Sequence, residues 1–160
     1  MNGAQLHLAL NHLPVIGTLI ALLVLAAGMA LRNETVRRTA LVLLVGAGLA
    51  AGGAFLTGEP AEEVIEGTAG VSKDAIHEHE EAAELALTAS GILAVLALGV
   101  LVAGRRRSLP GTAHGAVLVG ALAVTVIMGR AAHLGGLIRH PELGAATAAQ
   151  GGGEKGGDRD

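Results

Sequence analysis

Val15-Ile16-Gly17-Thr18-Leu19-Ile20-Ala21-Leu22-Leu23-Val24-Leu25-Ala26-Ala27-Gly28-Met29-Ala30-Leu31 contains no charged side chain. With its mostly apolar lead-in from Leu6, the stretch is long enough to cross a hydrocarbon layer of roughly 30 Å as a helix. A helix satisfies every backbone polar group within itself, which lipid demands, so the segment reads as a membrane span. No Lys or Arg precedes it, so it lacks the basic start of a secretory signal peptide and is expected to remain in the protein. Pro14 falls either in the first turn of this helix or at a kink that frees the Leu10 carbonyl. Both arrangements put His12 near a helix entrance or bend.

The composition extends that reading to the whole chain. Of the residues, 51% are hydrophobic and 16% charged, and the mean hydropathy of +0.57 is too apolar for a soluble domain. The 25 glycines suit helices that pack backbone to backbone in lipid. Phe55 is the sole aromatic residue, so no Trp and Tyr belt fixes the depth of the spans. The absence of Cys excludes disulfides, thiolate metal sites, cysteine-bound iron–sulfur clusters and c-type haem attachment. A net charge of −3, without a basic stripe or stacking aromatics, argues against nucleic-acid binding.

Outward from the first span the pattern repeats. The basic turn Arg32-Asn33-Glu34-Thr35-Val36-Arg37-Arg38 is short enough to require an antiparallel hairpin with a second span. An acidic connection, 58–81, holds a short helical candidate over 61–66, closed by Gly67-Thr68-Ala69-Gly70. Ser72 is a candidate cap for a helix that starts near Lys73 and runs through Ile76-His77-Glu78-His79-Glu80-Glu81-Ala82-Ala83-Glu84 into the third span. Arg105-Arg106-Arg107 closes that span, and Pro110 opens a fourth that ends at Gly135-Gly136. The expectation is an all-α, integral membrane four-helix up-down bundle over 1–143. Its spans fall roughly at 8–31, 38–57, 82–104 and 110–134, followed by a disordered polar tail, 144–160.

The arginines of the two short turns set the orientation. By the positive-inside rule those turns face the cytoplasm, which places both termini and the acidic connection on the non-cytoplasmic side of a bacterial inner membrane. His7, His12, His77, His79, His133 and His140 then gather at that outer end, and His114 alone belongs to the inner half. Imidazole nitrogen ligates metal ions and haem iron, and bundle cores build such sites from facing helices. The bland alternative is that these histidines are amphipathic anchors at the interface.

His12 and His133, flanked by apolar residues, are the first candidates, with His79 as the alternate. His77 projects about 200° away from His79 around a helix and shares a stripe with Glu80, Glu81 and Glu84. That stripe, with His79, is the candidate site for a divalent metal ion, and His7 and His140 are outlying donors. Glu80 and Glu81 are also explained as a solvated first turn that complements the helix dipole. Glu84 sits deeper. Arg130 interrupts the apolar run one turn before His133 and needs a partner, such as Glu84 or the propionates of a haem, unless it snorkels to the outer interface.

The ordered set Asn11-His12-Leu13-Pro14-Val15, Thr57-Gly58-Glu59, His79-Glu80 and His133-Leu134-Gly135-Gly136-Leu137-Ile138-Arg139-His140 resembles the bacterial DUF2231 group of small four-helix membrane proteins. The resemblance implies haem or another redox cofactor held by His12, His79 and His133. The leading expectation is a haem b protein with His12 and His133 as axial ligands and Arg130 near the propionates. It would pass electrons between membrane quinol and a periplasmic acceptor, or anchor a larger redox complex. A divalent-metal binding or transport protein and a cofactor-free accessory subunit are the rival classes. No nucleophile and base pair, phosphate loop or Gly-x-Ser-x-Gly elbow is visible, so a stand-alone hydrolytic enzyme is not expected.

Overall fold

A computed structural model describes residues 2–66, 68, 70–105 and 110–143. Among them every element is helical: α1 (Gly3–Leu10), α2 (His12–Ala30), α3 (Glu34–Leu56), α4 (Gly58–Ile65), α5 (Lys73–Ala103) and α6 (Gly111–Arg139). Taken as α1 with α2, α3 with α4, α5 and α6, they form four segments long and apolar enough to cross a membrane. The polar tail 144–160 and the closing arginines Arg106 and Arg107 lie outside the described residues.

Local chemistry sets the helix ends. A capping box starts α1: the Asn2 side chain accepts from Gln5 N at 2.9 Å, and the Gln5 side chain accepts from Asn2 N at 3.1 Å. The chain continues in right-handed helical geometry through Asn11 into α2, with Pro14 in the first turn. The expected alternatives for Pro14 are therefore joined, since α1 ends at Leu10 and α2 begins at His12. Between α2 and α3, Arg32 takes φ 51 and Asn33 caps α3 by accepting from Val36 N at 3.2 Å. Ser72 caps α5 as anticipated, accepting from Ala75 N at 3.5 Å. α4 starts at Gly58, ahead of the expected 61–66 helix, because Pro60 fits a first turn that lacks N–H partners anyway.

The four long helices close a ring in which α2 packs on α3, α3 on α5, α5 on α6 and α6 on α2. Contacts run in antiparallel register. Gly17 meets Ala47 and Gly28 meets Arg37, Gly48 meets Ala94, and Gly120 and Gly135 meet Leu93 and His79. Inward residues recur at alternating steps of three and four, as in Pro14, Thr18, Ala21, Leu25 and Gly28 of α2 and His114, Val117, Ala121, Val124, Met128 and Ala131 of α6. That 3.5-residue period keeps one seam of each helix on the bundle axis.

The core combines Leu25, Leu41, Leu44, Leu93 and Met128 with many alanines, and large apolar side chains also cover the outside. The core holds Ala21, Ala40, Ala51, Ala82, Ala86, Ala97, Ala121 and Ala131, while Leu49, Leu56, Val95 and Val119 are between 69% and 78% exposed. Alanine-rich contacts between helices, with large apolar side chains left outside, are the pattern of helices that pack in lipid. At one end of the bundle, Arg37 Nε donates to Gly28 O at 3.1 Å and Arg38 Nη2 donates to Gly104 O at 2.7 Å. These guanidinium groups satisfy carbonyls at the C-terminal ends of α2 and α5. The opposite end carries α1 and α4, which pack on each other, with Gly3 seated against the Pro60 carbonyl.

Candidate functional site

Six of the seven histidines lie toward the α1–α4 end, called here the histidine end, but they divide by burial. His7 and His79 are half-buried, whereas His12, His77, His133 and His140 are exposed. The difference follows helix phase. His7 continues the inward seam of α2 backwards through Asn11 and Pro14, and His79 sits one step before Ala82 on the inward seam of α5.

Both inward rings are pinned in the same way. His7 Nδ1 lies 3.0 Å from Ala54 O and 3.1 Å from Thr57 Oγ1, at the junction of α3 and α4. Thr57 Oγ1 itself donates to Ala54 O at 2.7 Å, so its oxygen is free to accept from the ring. His79 Nδ1 lies 2.9 Å from Ala131 O on α6. A carbonyl oxygen only accepts, so each ring carries a proton on Nδ1, and in the neutral imidazole Nε2 keeps a lone pair. Both rings stand toward the same end of the bundle although α1 and α5 are far apart in sequence. Gly135 makes the His79 position available: a Cβ there would sit 2.9 Å from His79 Cε1 and 3.2 Å from Nδ1. α6 continues to Arg139, past the double glycine expected to end it.

One further polar atom belongs to this end. Asn11 Oδ1 is buried with no hydrogen-bond partner among the described residues. It sits one helical turn inward from His7 on the same seam, where residues four apart are neighbours. A buried acceptor without a donor is costly and marks a place where a ligand, ion or water fits.

The other expected residues lie on the outside. His12 is exposed and its Nδ1 is 3.0 Å from Leu8 O, a contact within its own helical segment. His133 and Arg130 are exposed on α6, and neither forms a hydrogen bond or ion pair among the described residues. His77 faces solvent with Nε2 3.3 Å from Glu81 and Nδ1 3.9 Å from Glu80, while Glu84 is exposed and joins neither. The division of His77 from His79 thus follows the angular separation of their positions. His140 pairs with Glu142 at 3.0 Å in an exposed turn. Glu80 also lies near Glu62 of α4, so two like-charged side chains face each other there. Lys73 lies 2.7 Å from Glu66, and its ammonium holds that carboxyl below its ordinary pKa. No group of three His, Asp or Glu residues arranged to hold a metal ion occurs among the described residues.

Sequence reasoning ranked His7 low and did not single out Asn11. The signal that finds them is the four-and-three seam, stepped backwards from Leu25, Ala21 and Thr18. No family model, curated protein or solved structure matches the chain.

Proposed function

We propose that this is a multi-pass membrane protein that holds a metal centre at its histidine end through the Nε2 atoms of His7 and His79, with haem b as the leading form. The observation that supports this reading is the shared state of the two rings: each is half-buried, each has Nδ1–H held by a backbone carbonyl, and both lie toward the same end of the bundle. Metal-bound histidines show this arrangement, in which the second hydrogen bond fixes the tautomer and raises the basicity of the ligating nitrogen. His7 and His79 would hold the haem iron through their imidazole nitrogens, which suits a pair without a third grouped donor. When bound, it supplies reversible one-electron transfer. The protein's part is to orient the rings and keep both Nδ1 atoms protonated.

In this reading the chain belongs with the DUF2231 group. The arginine turns face the cytoplasm of a bacterial inner membrane and the histidine end faces the periplasm. Its redox partners are membrane quinone and a periplasmic acceptor, reached directly or within a larger complex. His12 and His133, with Arg130 beside them, are the second ligand set and would take a cofactor only on the outward surface.

A bare divalent ion is the second reading, favoured by the orphaned Asn11 Oδ1, which adds an oxygen donor to the two imidazoles. Oxidised and dithionite-reduced visible spectra of the detergent-purified protein, with metal analysis of the same sample, separate the two. Haem b gives a Soret shift and a sharp α band that His7→Ala, His79→Ala and Gly135→Ala each weaken or abolish. If those bands survive the first two variants and vanish in His12→Ala and His133→Ala, the ligand assignment moves to the outer pair. A colourless protein with stoichiometric metal lost in Asn11→Leu supports the ion. A protein with neither overturns both readings.

A further inference from the structure

We infer that the groove between α3 and α5 holds an acyl chain of an anionic phospholipid whose phosphate rests on Arg38 and Arg105. The groove is lined by Val45, Gly48 and Leu49 of α3 and by Gly91, Ala94, Val95 and Leu98 of α5. Its floor is a close contact of the two helices, where a Cβ on Gly48 would lie 2.6 Å from that of Ala94. Larger apolar side chains stand on either side of that contact: Leu49 is 75% exposed on α3, and Val95 is 70% exposed on α5. Gly91 keeps the groove open, since a Cβ added there meets nothing within 4 Å.

Both helices carry the faces that line the groove on to an arginine. Arg38 is seven residues before Val45, and Arg105 is seven residues after Leu98, in the turn that ends α5. Positions seven apart lie on nearly the same face of a helix. The two arginines are also brought together across the α3–α5 contact, because Arg38 Nη2 donates to Gly104 O, beside Arg105, at 2.7 Å. Arg38 Nε donates to Glu34 at 3.0 Å, which leaves further N–H groups of the guanidinium fork for another acceptor. Arg105 is exposed and has no ion pair or side-chain hydrogen bond among the described residues. Glu34 is the one carboxylate set against Arg32, Arg37, Arg38 and Arg105 among the described residues of this end.

Charge complementarity and length select the occupant. Guanidinium groups pair with phosphate oxygens, and the groove beyond them is uncharged. At 1.5 Å per residue, Leu98 lies roughly 10 Å and Gly91 roughly 21 Å along the helix from Arg105. One leaflet of hydrocarbon is roughly 15 Å deep, so the groove covers the depth reached by a chain that descends from a phosphate at the arginines. The inference rests on the membrane reading of this chain and not on the metal centre.

The test is native mass spectrometry of the full chain, delipidated in detergent and titrated with palmitoyl-oleoyl phosphatidylglycerol or with phosphatidylcholine of the same chains. The first equivalent of phosphatidylglycerol is expected to bind more tightly than phosphatidylcholine. Arg105→Gln should weaken phosphatidylglycerol about fivefold and leave phosphatidylcholine unchanged. Gly91→Leu puts a side chain into the groove and should weaken phosphatidylglycerol at least roughly fivefold, which a headgroup held by the arginines alone would not feel. Circular dichroism checks that both variants remain helical. Equal binding of the two lipids, or phosphatidylglycerol binding unchanged in either variant, would overturn the inference. A dimer of the unaltered protein that Gly91→Leu splits without affecting lipid binding would overturn it in favour of a second copy in the groove. Flotation with phosphatidylcholine vesicles tests the membrane reading separately: a chain that does not float loses that reading, and this inference with it.

Discussion

His114 shows how much a single side chain depends on its surroundings. From the sequence it is a lone histidine near the arginine turns, expected to be structural or interfacial. In the fold it is 1% exposed on the inward seam of α6, and its Nδ1 has no partner among the described residues. An unsatisfied buried polar atom costs about 1–3 kcal/mol, and an apolar replacement of similar size removes that cost. His114→Leu is therefore expected to raise the thermal unfolding midpoint in detergent, by a gain of about 1 kcal/mol, helped by the better helix propensity of Leu. A lower midpoint would mean that the ring has a role the apolar residue cannot fill. At the histidine end the same scale gives a different lesson. His7 and His79 look no more promising in sequence than His12 and His133, yet only the first two are pinned by carbonyls of other helices. A residue's distant neighbours are not written next to it.

The elements themselves were mostly legible, because caps and apolar runs are local. Ser72 starts α5, Asn33 starts α3, and the short arginine turn forces the α2–α3 hairpin. The end of α6 was not legible: glycine normally weakens a helix, but Gly135 is retained inside α6 because the His79 ring occupies the space a Cβ would fill. Gly48 plays the same part between α3 and α5, where a Cβ would lie 2.6 Å from that of Ala94. The connection between α4 and α5 is tied by Glu66 and Lys73. The folded pKa of Glu66 is depressed, so the tie contributes above the ordinary glutamate value of 4.5 and is lost as pH falls through the lowered one. A spin label at Thr68→Cys, in a chain with no other thiol, should become more mobile through that acid range. In Lys73→Ala the label should be mobile already at neutral pH and respond little to acid. Equal, pH-independent mobility in both proteins would show that the ion pair does not hold the connection.

At the scale of the molecule the organising fact is the amount of large aliphatic side chain left on the outside. Between 22% and 33% of each apolar window is buried within the protein, so most of the large aliphatic surface needs another apolar partner. The protein is expected to stay with the membrane fraction through an alkaline carbonate wash and to enter solution only with detergent. Its recovery in the aqueous supernatant would rule out integral insertion. His7 and His79 come to the same end of the bundle because the inward seams that include them both continue to it.

The sequence by itself determined the four apolar spans, the short turns between the paired ones, the apolar surface and the gathering of histidines toward one end. Those properties depend on hydropathy, capping and loop length, which act over a few residues. Tertiary structure alone decided which histidines turn inward and that Asn11 Oδ1 is buried with no hydrogen-bond partner among the described residues. Each of these depends on the rotational phase of a helix against neighbours far away in the chain. That phase is fixed by packing: Gly and Ala seams choose which face of each helix meets the axis, and the polar residues follow.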